Sequence, residues 1–116
     1  MGTLLVHVTH GPEAPTRATL GLLVAKAAID EGHQVTVFLA GDAVQLMRDA
    51  VLDSLQGLGT GSARESFDAV VAGGGRFYVS GMSSKARGFD PDGRAESAMP
   101  QRLVSLLLEA DRVLTY

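Results

Sequence analysis

The chain has 116 residues, enough for one domain with one core. That is too short for a dinucleotide-binding fold with a substrate domain, or for a (β/α)8 barrel of about 250 residues. Apolar residues make up 46% and charged residues 20%, an ordinary globular balance that argues against disorder. With 13 acidic and 10 basic residues the net charge is −3, without the basic excess of a nucleic-acid binder. The sequence has no cysteine, which excludes disulfides, thiolate metal sites, iron–sulfur clusters and thiol nucleophiles. No apolar run approaches the roughly 18 residues of a membrane span. No basic region precedes the first apolar stretch, as a signal peptide needs, and Val6 breaks the myristoylation pattern that Gly2 opens. A cytoplasmic protein is expected, with no membrane and no direct nucleic-acid contact.

Thr3 to Thr9 is a short β-branched and apolar run that ends at His10-Gly11-Pro12. It reads as a strand buried on both faces. Pro15 suits the first turn of a helix, and Leu20, Leu23, Val24, Ala27 and Ala28 recur at helical spacing up to Glu31. Gly32 then ends the helix. Gln34 to Leu39 is a second strand, after which Asp42 is expected to cap a helix from Ala43 to about Val51. Residues 52–61 read as a loop. Ser62 and Glu65 fit a capping box for a helix to about Ala72, ended by Gly73-Gly74-Gly75.

Arg76 to Ser80 is the third strand. Gly81 to Arg87 reads as a loop or a short helical turn, residues 88–93 as loop, and residues 94–99 as a loop or a very short strand. Gln101 to Ala110 is a helix with Leu103, Leu107 and Ala110 on one side, extended by Val104 and Leu108, and with Leu106 facing away. Arg112 to Tyr116 is the last strand. Strands alternating with helices predict a parallel sheet with helices on both faces and right-handed crossovers. Ligands of such sheets bind at the carboxyl ends of the strands. Here those ends are Thr9-His10-Gly11, Ala40-Gly41-Asp42 and Ser80-Gly81-Met82.

Neither glycine cluster is a phosphate loop. The one at Gly57, Gly59 and Gly61 does not follow a strand, and Gly73-Gly74-Gly75 precedes one. His7 lies inside a strand and His33 at a turn, so the three histidines do not form a metal set. Ser80, His10 and Asp42 have the residue types of a nucleophile, a base and an orienting acid, but Ser80 lacks the Gly-x-Ser-x-Gly elbow. The stretch from Ser80 to Gly88 joins small residues, three hydroxyls (Ser80, Ser83, Ser84) and two cations (Lys85, Arg87) just past a strand end. It reads either as a small-anion site or as a structural cap with a solvated lysine and an arginine on loop carbonyls.

Four stretches carry a resemblance. They are the first strand with its His10-Gly11-Pro12 loop; Gly32 to Leu39 followed by Gly41-Asp42-Ala43-Val44; Ser80 to Arg87-Gly88; and Ala110 to Tyr116. In this order they resemble the DsrE/DsrF-like (DsrEFH-like) family, which includes sulfur-relay subunits. The resemblance spans nearly the whole chain. It implies one DsrE-like domain over residues 1–116, a three-layer α/β/α sandwich on a mainly parallel sheet of four to five strands, and homotrimers or hexamers. Relay members of that family carry a cysteine at the end of the third strand, eight residues before the glycine of the Arg-Gly pair. Ser80 stands there in this chain, and a serine hydroxyl cannot form a persulfide.

The expectation is a non-catalytic DsrE-like oligomer, without cofactor or metal, that binds a small ligand (a small anion among the candidates), a sulfur carrier or another relay protein. Its crevice would be lined by His10, Gly11, Asp42, Ser80, Gly81, Ser83, Ser84 and Arg87. The alternatives are a small hydrolase or transferase using Ser80 and His10, and a purely structural oligomer.

Overall fold

The computed structural model describes residues 2–91 and 93–116. The loop expected over residues 88–93 contains Asp92, which lies outside the described residues. Among the described residues, five strands form one parallel sheet: β1 (Thr3–Val8), β2 (Gln34–Leu39), β5 (Arg76–Ser80), β6 (Glu96–Ala98) and β7 (Arg112–Thr115). Their spatial order is β6-β5-β2-β1-β7. The chain steps outward from β1 through β2 and β5 to β6, then returns to pair β7 with the other side of β1.

That reversal places the helices. Right-handed crossovers in one direction put α1 (Pro15–Asp30) and α3 (Ala63–Ala72) on one face; the return crossover puts α5 (Pro100–Glu109) on the other. On the first face Val6, Val8, Val37, Leu39, Phe77 and Val79 pack with Leu22 and Ala25 of α1 and Phe67 and Val70 of α3. On the second face Leu5, Phe38, Tyr78 and Ala98 pack with Leu106 of α5, flanked by Leu103, Leu107 and Ala110. β1 therefore buries side chains on both faces, as its β-branched and apolar run predicts. The short-strand reading of residues 94–99 also holds, as β6 over Glu96–Ala98. The short helical turn after the third strand is α4 (Gly81–Ala86).

Two local expectations are corrected. Leu106 does not face away from the sheet: it is the buried residue of α5, whereas Val104 and Leu108 are exposed. Positions 103, 106, 107 and 110 form the i, i+3, i+4, i+7 stripe, and Val104 and Leu108 lie off it. The single helix expected after Asp42 is instead a 3-10 helix over Gly41–Met47 followed by α2 (Asp49–Ser54). Ala43 and Leu46, and likewise Val44 and Met47, are buried pairs three residues apart, which is the 3-10 repeat. Asp42 provides no side-chain cap there. The expected loop that follows contains a two-residue antiparallel ladder, β3 (Gln56–Gly57) with β4 (Gly61–Ser62). The capping-box serine behaves as expected, with Ser62 Oγ accepting from the Glu65 N–H at 3.4 Å.

His7 extends from β1 into the second face, where its ring meets Phe38 edge-on at 5.8 Å between centroids. Its Nε2 is buried without a hydrogen-bond partner among the described residues. Burial holds its pKa below the ordinary 6.5. The unfolded chain therefore takes up this proton at a higher pH than the folded one. Stability is then present above about pH 6.5 and declines as pH falls through that value. The urea midpoint is expected to fall between neutral pH and about pH 5, and to fall less in a His7→Gln variant. Equal slopes for the two proteins would remove His7 from the account.

Candidate functional site at the strand ends

The sheet register sets Val8, Leu39 and Val79 in one row across β1, β2 and β5. Thr9, Ala40 and Ser80 follow as the next row, so the three predicted strand ends meet at one edge. There the Ala40 N–H donates to the Val8 carbonyl at 3.0 Å, and the Thr9 N–H donates to the Tyr116 carbonyl at 2.8 Å.

A polar network joins most of the predicted residues. Ser80 Oγ accepts from the Ser83 N–H at 3.1 Å, making Ser80 the N-cap of α4. Ser83 Oγ in turn accepts from the Gly41 N–H at 2.8 Å. Gly41 has φ +57°, a left-handed conformation that suits glycine and turns its N–H toward α4. Arg87 donates from Nε and Nη2 to Asp42 Oδ1 at 3.1 and 2.9 Å, and from Nη1 to the Ser83 carbonyl at 3.1 Å. Gly11 packs directly on the backbone of Asp42, where a Cβ would overlap the carbonyl oxygen. Thus Gly11, Asp42, Ser80, Ser83 and Arg87, which lie far apart in sequence, form one connected cluster with Gly41.

His10 is turned to other partners. Its Nδ1 lies 2.9 Å from Glu13 Oε2, and Arg17 Nη1 lies 3.4 Å from its Nε2. A carboxylate only accepts and a guanidinium only donates, so the ring proton on Nδ1 faces Glu13. Glu13 Oε1 also accepts from the Gly11 N–H at 2.7 Å, which braces the loop. The sequence reading missed Glu13 and Arg17; their spacing of three and seven residues from His10, across a helix start, was the available signal. Among the described residues no hydrogen bond connects Ser80, His10 and Asp42 as a catalytic relay.

Gly81 and Ser84 line a cavity of about 500 Å³ together with Lys85, Phe89 and Ser97. Ser84 is 4% exposed, and its hydroxyl has no hydrogen-bond partner among the described residues. The described residues contain no group of three or more His, Asp or Glu side chains placed to hold a metal ion.

The Asp42–Arg87 pair is partly exposed, with side-chain accessibilities of 48% and 28%. Solvent screening limits its contribution, so Asp42→Asn is expected to destabilise the fold by no more than about 1 kcal/mol. The same variant frees the Arg87 guanidinium, and an inorganic anion titrated against it is expected to bind more tightly than to the wild type. A drop in melting temperature matching several kcal/mol, or unchanged anion affinity, would contradict this.

The molecule is a parallel α/β/α protein with a polar cluster at the carboxyl edge of its sheet. The DsrE/DsrF-like family model matches residues 3–116, and the chain belongs to that family. The crystal structure of the ychN protein from E. coli superposes with a TM-score of 0.81 at 17% identity, covering 100% of both chains. That likeness establishes a shared fold. No curated protein matches the sequence. Among the described residues no helix is long and apolar enough to cross a membrane.

Proposed function

We propose that this chain is a non-catalytic DsrE-like protein, one domain over residues 1–116, that binds a small ligand or a relay protein at its strand-end crevice. It works in the cytoplasm as a homotrimer or hexamer and carries no persulfide itself. The observation that carries this reading is Ser80. It occupies the strand-end position where the resemblance places a sulfur-carrying cysteine, and its hydroxyl is engaged in capping α4. No cysteine elsewhere in the sequence can take over the role.

The polar network around Ser80 supports a retained binding function. Ser83, Gly41, Asp42 and Arg87 fix the geometry of the edge. The adjoining cavity at Gly81 and Ser84 offers space beside the network. Because Asp42 already occupies the fork of Arg87, an anionic ligand would meet Lys85 first. His10 and Gly11 stand at the neighbouring strand end, braced by Glu13.

The test is affinity. Ser83→Ala and Arg87→Ala each remove a strut of the network while leaving the hydrophobic core intact. Any ligand or protein that co-purifies with the wild type is expected to bind these variants at least about tenfold more weakly. Unchanged affinity in both would end the crevice reading and favour a purely structural oligomer. Hydrolysis of acyl or phosphoryl esters that disappears in Ser80→Ala would favour an enzyme.

A further inference from the structure

A second cavity, of about 600 Å³, opens at the opposite end of the sheet, where β1, β2 and β5 begin. Its size falls in the range of small-molecule sites. It is lined by Thr3, Thr36, His33, Arg76, Arg102 and Glu109, among others, and by the backbone turn at Gly73 and Gly74. Nothing in the strand-end network reaches it.

The two arginines come from different elements. Arg76 opens β5, and Tyr78 two residues later projects from the same face of the sheet. The Arg76 guanidinium carbon lies 5.5 Å from the centre of the Tyr78 ring. Arg102, from the first turn of α5, lies 5.5 Å from the same ring, and its Nη2 donates to the Tyr78 hydroxyl at 3.1 Å. The shared ring holds the two cations within twice that distance of each other.

Among the described residues neither guanidinium lies within ion-pair distance of a carboxylate, although the Tyr78 hydrogen bond and, through space, Glu109 and Glu96 help hold the Arg102 pKa up. Among the described residues the Arg76 side chain makes no hydrogen bond or ion pair, and the side-chain hydrogen bond of Arg102 goes to a phenol. Glu109 lines the same cavity without ion-pairing to either arginine. Arg64 pairs closely with Asp49 and Asp53, Arg87 with Asp42, and Arg94 with Asp49, whereas Arg17, Arg48 and Arg112 bond to His10, Gln45 and the Asp111 carbonyl. Acidic residues outnumber basic ones, 13 to 10, so two guanidiniums beside one ring without an ion pair are not forced by composition. The first turn of a helix is also an unfavourable place for the Arg102 cation. An oxyanion in the cavity would accept from their planar, fork-shaped donors.

We propose that the cavity at the amino ends of the strands binds a small oxyanion, a phosphate or carboxylate group, held by Arg76 and Arg102. Thr36, which pairs with Arg76 in the sheet register, lines the floor beside them. The site is separate from the strand-end crevice, so either can stand without the other.

The experiment is a titration of the isotopically labelled full chain with inorganic pyrophosphate at low ionic strength, followed by nitrogen-15 NMR. Saturable shifts are expected at residues 73–76 and at the side-chain N–H groups of Arg76 and Arg102. Arg76→Gln should weaken binding about tenfold, since a charge-assisted contact is lost. Arg102→Gln should do the same, while Lys85→Gln, which removes an equal charge at the far end of the sheet, should not. Melting temperatures report whether each variant is folded, and two independent arginine variants guard against loss of either one. Shifts confined to the strand-end crevice, non-saturating shifts, or equal weakening by Lys85→Gln would overturn the proposal. So would a cavity closed by a second copy of the chain, seen as concentration-dependent shifts at residues 73–76 without added anion.

Discussion

Gly11→Ala is expected to be the most damaging single-methyl change at the strand ends. A Cβ at this position would overlap the carbonyl oxygen of Asp42 and lie 2.8 Å from its carbonyl carbon. Both are backbone atoms at the start of the 3-10 helix, so no flexible side chain can move aside. Overpacking of this kind costs about 3 kcal/mol, which in a chain of this size lowers the melting temperature by roughly 10–15 °C. Gly32→Ala is the matched control. Gly32 has φ +87° and open space around it, so only backbone strain of about 1 kcal/mol is added. Thermal unfolding of the two variants decides the matter. An equal or smaller loss for Gly11→Ala would mean that the β1 and β2 ends are not packed as described.

Ser80→Cys is expected to give this chain a chemistry that the wild type lacks. The wild type has no thiol, so an alkylating reagent specific for cysteine adds nothing to it. In the variant the sulfur takes the place of an oxygen that accepts from the Ser83 N–H. That donor favours the thiolate, and the new thiol should titrate below the ordinary value of about 8.5. Alkylation followed across pH measures this directly. Treated with inorganic polysulfide, the variant should gain the mass of a sulfur atom, reversibly with dithiothreitol. The cap is weakened, at a cost of about 1 kcal/mol. A folded variant that resists alkylation, or that titrates as a buried thiol above the ordinary range, would show that position 80 does not face the crevice.

Much of this architecture is legible in the sequence because local signals and tertiary packing agree. Pro15 and Gly32 bracket α1 as expected, and the apolar run of β1 belongs to an interior strand. The weak three-residue strand near Ser97 was legible only as an alternative, since three residues carry too little periodicity. The misreading after Asp42 has a tertiary cause. A carboxylate suited to capping a helix is drawn instead to Arg87, 45 residues away in sequence. The orientation of Leu106 was misjudged because α5 contains leucine or valine at five positions, and only packing against Tyr78 and Ala98 selects the buried stripe.

The site was partly legible for the same reason. Strand ends of a parallel sheet converge whatever their sequence, so Gly11, Asp42 and Ser80 could be placed together from topology. The bond from the Gly41 N–H to Ser83 Oγ depends on a left-handed glycine and was not readable. Arg76 and Arg102 gave no signal at all: they reach the same Tyr78 ring because α5 crosses the second face of the sheet on its way from β6 to β7.

The central claim is that the strand-end crevice retains a binding function without sulfur chemistry. Native mass spectrometry of the protein purified gently from its own host tests it most directly. The account predicts an assembly of several copies carrying added mass, either a small ligand or a second protein, and loss of that mass in the Ser83→Ala and Arg87→Ala variants. An assembly of bare chains, or added mass that both variants retain, would contradict it.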